Sequence, residues 1–420
     1  MRERKKDRKY EWRVLIFTCL LCITLFLNLG LLGGETFDKM AMIMAGALIG
    51  VIGIAQLVLR KFFPDGDKFL LIFATVLSMI GVAVLYRIDS SLAIKQLIWV
   101  IAGIIGFMLV VIIFPNFDTF IKYKNLFLIS TIVLMPMAFL FGEERYGAKN
   151  WVNLGLFSFQ PSEFGKIALV LYLASALSTY ENRGSLKDDF KQLWKPALLA
   201  CFSLGFLVLQ ADLGSALIFF GISIAMLYAA TNKRRYVAAT FGMSVVGSVA
   251  AYNMFAHVRR RVLIWRDPWK YANNESYQIV QGLYAIASGG LLGVGLGNGL
   301  IEYIPVKESD YIFAVIAEEL GMIFGLGILI IYFLLFYRGI RAAYVAENRF
   351  AQLTAVGMST MIACQTLVII GGLFTIIPLT GITLPLISYG GTSVISIFIS
   401  LGILQKVSEE GLRWTIYQKV

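Results

Sequence analysis

Charge is scarce in this chain. Of its 420 residues only 15% are Asp, Glu, Lys or Arg, against about 25% in an ordinary soluble domain. That shortage excludes a soluble globular enzyme and a disordered chain. Histidine is rarer still: His257 is the single one, and one imidazole does not build a zinc site. The four cysteines, Cys19, Cys22, Cys201 and Cys364, all lie inside apolar runs and read as small hydrophobes. Cys19 and Cys22 form a C-x-x-C with no second ligand pair near it, so neither a disulfide scaffold nor a metal or redox site is expected. No dinucleotide fingerprint is present either. In Gly293-Val294-Gly295-Leu296-Gly297-Asn298 the last glycine is an asparagine, and no strand precedes it. The first apolar run lacks a small-residue cleavage site, so it is expected to stay as a helix.

What fills the chain is hydrocarbon. Hydrophobic residues make up 58%, and the mean hydropathy is +0.76. They arrive in runs long enough to cross about 30 Å of bilayer as helices. The runs are 13–33, 40–59, 68–86, 96–114, 125–142, 163–180, 194–210, 212–230, 236–256, 311–337, 351–375 and 384–404. The expected fold is an all-α polytopic membrane protein of about twelve transmembrane helices with one long extracellular loop, 257–310. The net charge of +11 then reports orientation rather than nucleic acid, because cytoplasmic loops collect Lys and Arg. With the N-terminus inside, the inner side holds 25 of the basic residues and the outer side 11, six of these in the long loop. Both termini are expected in the cytoplasm. Loops 181–193 and 339–350 read as solvated inner connectors, and the apolar stretch 277–287 of the outer loop as an amphipathic helix on the membrane surface.

Polar groups inside or at the mouth of these runs mark candidate sites, since charge in a membrane is costly. Glu163 and Lys166 are three apart in one helix and can pair, with Ser162 as a cap for that helix. Asp212 stands between two runs as a turn residue, a cap or a site. Asp310 stands at the outer mouth of the run 311–337, as a cap or as a half-buried base. Glu318 and Glu319 lie deeper in that run. Pro385, Gly390 and Gly391 break a helix at its entry to the membrane, around Ser388 and Tyr389, and such backbone must be covered by protein or line a cavity. Arg259, Arg260 and Arg261 open the outer loop against the charge trend. They read as headgroup anchors or as a diphosphate clamp, since guanidinium matches phosphate oxygens. The glycines from Gly289 to Gly299 read as tight turns or close backbone approach.

Five segments, in order, give the chain a resemblance to the SEDS family, the RodA/FtsW/SpoVE-like group. They are Gly147-Ala148-Lys149-Asn150-Trp151 with Gln160-Pro161-Ser162-Glu163 and Lys166; Gln210-Ala211-Asp212-Leu213-Gly214; Asp267-Pro268-Trp269 with Tyr277-Gln278; Ser309-Asp310-Tyr311-Ile312-Phe313-Ala314 with Glu318-Glu319-Leu320-Gly321; and Thr380-Gly381-Ile382-Thr383-Leu384-Pro385 with Ser388-Tyr389-Gly390-Gly391. With their flanking spans they cover 68–404. Tyr271 stands where many members carry a second Asp, Tyr311 where Phe is usual, Asn150 where Arg is common and Ala211 where Pro is common.

The resemblance implies a core of ten spans, here 67–405. It is preceded by a basic N-terminus with two additional helices, 1–66, and followed by a cytoplasmic tail, 406–420. It implies a peptidoglycan glycosyltransferase of the bacterial plasma membrane that polymerises lipid II on the outer face, in elongation, division or cell shape. A class B penicillin-binding protein is the implied partner. Asp310 is the implied base, with Asp267 as a second candidate. Arg259, Arg260, Arg261 and Lys149 are candidate diphosphate ligands. Trp151, Glu163, Lys166, Asp212, Glu319, Ser388 and Tyr389 are expected to shape the substrate cavity. No cofactor is required; a divalent cation is compatible with the diphosphate, though no ligand spacing demands one. The alternatives are a lipid II flippase and a non-catalytic partner of a penicillin-binding protein.

Overall fold

In the computed structural model the described residues are 2–32, 36–114, 116–145, 147–153, 155 and 158–417, with side chains from 9 to 412 except Arg145. The basic side chains from Arg2 to Arg8, with Arg413 and Lys419, lie outside the described set. In chain order the helices are α1 Arg2–Leu31, α2 Lys39–Phe62, α3 Phe69–Ile88, α4 Ser90–Ile113, α5 Phe117–Phe120, α6 Lys124–Phe141, α7 Pro161–Ser178, α8 Leu186–Leu209, α9 Leu213–Thr231, α10 Arg234–Met254, α11 Ala256–Arg266, α12 Tyr277–Gly289, α13 Ile312–Val345, α14 Arg349–Leu373 and α15 Gly391–Tyr417. Three strands between α6 and α7, β1 Glu143–Arg145, β2 Ala148–Asn153 and β3 Ser158–Phe159, form a small antiparallel sheet in the order β1-β2-β3.

Among the described residues, 11 helices are long and apolar enough to cross a membrane, and the chain is a multi-pass membrane protein. The remaining expected span, 163–180, coincides with α7. Its 18 residues are almost all buried, and α6, α9 and α14 pack around it. Glu163 and Lys166 lower its apolarity, which is tolerable because protein rather than lipid surrounds them.

The chain divides into two compact units. One comprises 1–112, 272–338 and 383–405. Its centre is α3, buried along its whole length. Gly81 lets that helix touch backbone: a Cβ there would lie 2.5 Å from Ile387 O. The α1–α2 hairpin packs on α3. Asp38 caps α2 by accepting from Met40 N at 2.9 Å, and its other oxygen accepts from the Tyr86 hydroxyl at the end of α3. At the other end of α3, Arg338 bonds Asp67 at 3.2 Å. The expected surface helix is α12, and its apolar face turns to protein. That face, Ile279, Val280 and Ala285, is buried. Gly282 and Gly289 admit Tyr311 and the Ala317 carbonyl so closely that a Cβ would lie 2.5 and 2.0 Å away. Glycine at the contact makes helix-on-helix packing the better burial for that face.

α13 is two helices joined at Gly321, whose φ of +83° only glycine adopts freely. The break frees backbone groups that hydrocarbon cannot satisfy. The glycine-rich stretch takes them up: Met322 N donates to Gly290 O and Ile323 N to Leu291 O, at 3.0 and 3.1 Å, while Val294 N and Gly295 N donate to the Glu318 and Glu319 carbonyls at 2.9 and 3.0 Å. The last expected span, 384–404, begins as helix only at Gly391. The Leu384 amide is taken by Ser388 Oγ at 2.8 Å, and Leu386 sits at φ +68°, so no helical ladder starts there.

The second unit comprises 113–271, 339–382 and 406–420. The expected connectors at 181–193 and 339–350 are largely helical, because α8 starts at Leu186 and α13 runs on to Val345. Asp189, 1% exposed, ties this end together. It accepts from Tyr180 at 2.7 Å, from Lys233 at 2.5 Å and from Arg235 at 2.9 Å, and also from the Tyr236 hydroxyl. α10 buries none of its residues within the chain.

Candidate functional site

Asp310 closes the irregular segment that leads into α13. Its neighbour Tyr311 is fully buried, and the Tyr311 carbonyl accepts the first helical amides, Ala314 N at 2.9 Å and Val315 N at 3.2 Å. The side chain before that anchor therefore stands at the positive end of the helix, half exposed. Ser309 Oγ donates to Asp310 Oδ1 at 2.9 Å. The segment is held from behind by the broken entry to α15. Ser388 Oγ donates to Ser309 O at 2.6 Å, and Tyr389 N donates to Glu308 O at 2.8 Å. Asp310, Ser388 and Tyr389 thus belong to one hydrogen-bonded chain, with Ser388 and Tyr389 holding backbone.

The two glutamates of α13 are both buried, at 4% and 2% exposure, and face different partners. Glu318 Oε1 accepts from Leu300 N at 3.1 Å and from Ser288 Oγ at 3.3 Å. Glu319 Oε1 takes Arg87 Nε at 3.1 Å, and Arg87 Nη2 donates to Gly297 O at 3.1 Å. A buried carboxylate needs such a partner. Arg87 and Gln96, which bonds Ser388 O and Gly390 N from α4, were not among the residues the sequence singled out. Their signals were present: Arg87 is a cation and Gln96 an amide, each at the edge of an apolar run.

In the second unit, Asp212 is the hub at the start of α9. It caps α9, accepting from Ser215 N at 3.0 Å and Ser215 Oγ at 2.8 Å, and it also accepts from Asn150 Nδ2 at 3.2 Å and Gln160 Nε2 at 3.4 Å. Lys149 and Trp151 flank Asn150 on β2, and the two-residue period puts them on its opposite face. Lys149 N donates to Gln210 O at 2.9 Å. Glu163 and Lys166 pair at 2.9 Å, and Lys166 also donates to Gln365 Oε1 at 2.8 Å. Ser162 does not cap α7. Gln160 occupies the cap position with Pro161 following, and Ser162 Oγ is buried without a bond.

The three arginines lie on α11. Arg259 donates to Asn253 O at 3.0 Å and Arg261 to Thr380 O at 3.4 Å. Thr380 also packs on Gly214, where a Cβ would lie 2.9 Å from it. Arg261 and the Asp212 turn thus meet the same loop. Burial and the charge of Arg261 push the His257 imidazole down, so it is neutral at pH 7 and adds nothing to the row. Asp267 is exposed and accepts from Lys270 N at 3.2 Å, which makes it the turn residue before Pro268. Among the described residues no group of three or more His, Cys, Asp or Glu is placed to hold a metal ion.

Comparison with known proteins adds the family context. The FtsW/RodA/SpoVE family model, described as cell cycle protein, matches residues 67–412. The chain is 33% identical over 394 residues to the peptidoglycan glycosyltransferase RodA of Mycobacterium tuberculosis, covering 87% of this chain and 83% of that protein. It is 32% identical over 358 residues to stage V sporulation protein E of Bacillus subtilis, covering 81% of this chain and 96% of that one. Among solved structures, a chain described under "Structural coordination of polymerization and crosslinking by a peptidoglycan synthase complex" matches with a TM-score of 0.71 at 27% identity, over 82% of this chain and 98% of that chain.

Proposed function

The chain belongs to the FtsW/RodA/SpoVE family, and from that premise we propose how its residues work. It is a peptidoglycan glycosyltransferase. Its substrate is lipid II, presented from the outer leaflet of the bacterial plasma membrane. Asp310 accepts the proton of a sugar hydroxyl as that oxygen bonds the anomeric carbon of a second lipid-linked sugar. The bond from that carbon to the diphosphate oxygen breaks, and the lipid diphosphate leaves with the electron pair. Arg259, Arg260, Arg261 and Lys149 stabilise the departing charge; a divalent cation, where one takes part, rides on the diphosphate. Glu163, Lys166, Asp212 and Trp151 keep the outer ends of α7 and α9 and the strand β2 in place, and Glu319 does the same for the glycine-rich stretch. Both termini lie in the cytoplasm in this reading, which the 25 to 11 division of basic residues supports. The partner is a class B penicillin-binding protein.

The observation that carries the base assignment is the setting of Asp310. It is half exposed at a helix start, with Ser309 donating to one oxygen, whereas Asp267 spends its side chain on a turn. The test is polymerisation of labelled lipid II by the full chain reconstituted with its partner transpeptidase. Asp310→Asn should lose about 100- to 10,000-fold in rate, and Asp267→Asn should stay near wild type. Polymer made by Asp310→Asn at the wild-type rate would overturn the assignment. Vesicle translocation of lipid II without polymer would favour the flippase.

A further inference from the structure

Gln96 is fully buried in α4. A glutamine amide inside a membrane protein is costly unless both of its ends are bonded. Here both are. Nε2 donates to Ser388 O at 3.0 Å, and Oε1 accepts from Gly390 N at 3.4 Å. Those two backbone groups straddle Tyr389. The other edge of the same three residues is bonded to the segment before α13, through Tyr389 N to Glu308 O at 2.8 Å and Ser388 Oγ to Ser309 O at 2.6 Å. Residues 388–390 are therefore held from two sides, by a side-chain amide on one and by the 308–309 backbone on the other. Ser309 then donates to Asp310 at 2.9 Å. Trp99, one turn along α4, packs on the same stretch. A Cβ on Gly391 would lie 2.4 Å from its indole.

We infer that Gln96 is a positioning residue for the transfer step. It fixes the 388–390 stretch from which the Ser309–Asp310 segment hangs, and so sets where the Asp310 carboxylate stands. The inference rests on Asp310 being the base. Without the amide, Ser388 O and Gly390 N lose their bonds, the stretch relaxes, and the carboxylate moves with it. A displacement of about 1 Å at a reacting group costs about 100-fold in rate.

A matched control exists in the same unit. Gln56 in α2 is 2% exposed, and neither of its amide atoms has a hydrogen-bond partner, so Gln56→Met removes the same group without removing a bond. The experiment uses the full chain in lipid nanodiscs with its partner transpeptidase. Gln96→Met, Gln96→Glu, Gln56→Met and Asp310→Asn are compared by kcat and KM for lipid II polymerisation, by Tm, and by hydrogen exchange of peptides covering 387–391 and 307–311. Gln96→Met should lose about 10- to 100-fold in kcat with KM within about twofold, and should speed exchange in both peptides. Gln96→Glu keeps the acceptor for Gly390 N and should fall between. Gln56→Met should match wild type. The inference is overturned by a wild-type kcat in Gln96→Met, by a kcat loss matched by lost folded protein, or by unchanged exchange at 307–311. Activity in Asp310→Asn removes the base assignment alone; the exchange coupling of the two peptides still decides the clamp.

Discussion

Arg87 and Glu319 lie 232 residues apart in sequence and meet at 3.1 Å, Nε to Oε1. Arg87 is 24% exposed at its side chain and Glu319 2%, so the carboxylate is the partner that depends on the pair. Arg87→Met leaves a buried negative charge without its cation and should cost about 3–5 kcal/mol. The double variant Arg87→Met with Glu319→Met should recover most of that loss. Thermal unfolding of the four proteins in one detergent gives the cycle, and a double variant no better than Arg87→Met would show that the pair is not what Arg87 contributes.

Gly321 and Gly50 carry opposite expectations for the same substitution. Gly321 sits at φ +83°, with Leu292 C 2.4 Å from where a Cβ would stand. Gly321→Ala should destabilise by at least about 2 kcal/mol and expose the 290–295 amides to exchange. Gly50, within α2, has nothing within 4 Å of that position, and Gly50→Ala should raise stability by about 0.5–1 kcal/mol. Tm and exchange measured side by side decide both.

Ala211 occupies a left-handed backbone position, φ +59°, which costs a non-glycine residue about 1–2 kcal/mol. Ala211→Gly should recover about 1 kcal/mol. Ala211→Pro should be destabilising, although Pro is common at this position in the family, because proline is fixed near −65° and the Ala211 amide donates to Val208 O at 3.1 Å. A stable, active Ala211→Pro protein would mean that the turn before Asp212 has a second accessible shape.

Asp38 gives a pH dependence. The hydrogen bond from Tyr86 holds its carboxyl below the usual range. A carboxyl depressed in the folded state contributes stability that is complete above its unfolded value, about 3.9, and is lost as pH falls through the lower folded value. The stability difference between wild type and Tyr86→Phe should therefore be constant near neutrality and shrink only below about pH 4. Unfolding midpoints from pH 7 down to pH 3 test this; a difference that fades between pH 6 and 7 would point to another group.

The apolar runs made the helices legible, because hydrocarbon thickness sets their length. The Glu163–Lys166 pair was legible from a spacing of three on one helix. Asp212 as a cap was one of the three readings its position allowed. The sequence left the glycine stretch 289–299 with two uses, and its actual use depends on Gly321 lying against it. The helix 277–287 was read as amphipathic correctly, but its apolar face meets Tyr311, a partner no local pattern announces. The signals of Gln96 and Arg87, a lone amide and a lone cation beside apolar runs, have no spacing pattern to set them apart. Their meaning lies in partners more than 200 residues away.

The hairpin of α1 and α2 precedes the family match, which begins at residue 67, yet it is wired into the matched part. Leu32 lies so close to Gly297 that a Cβ there would be 2.7 Å away, Asp38 takes the Tyr86 hydroxyl, and Arg87 next to Tyr86 holds the Gly297 carbonyl. The matched core of this protein is consequently not a portable cassette. A chimera that joins residues 67–412 to the N-terminus of a shorter relative would strip one wall from Gly297 and unhook Tyr86 at the same stroke, and an interchangeable version would have to bring Leu32 and Asp38 along.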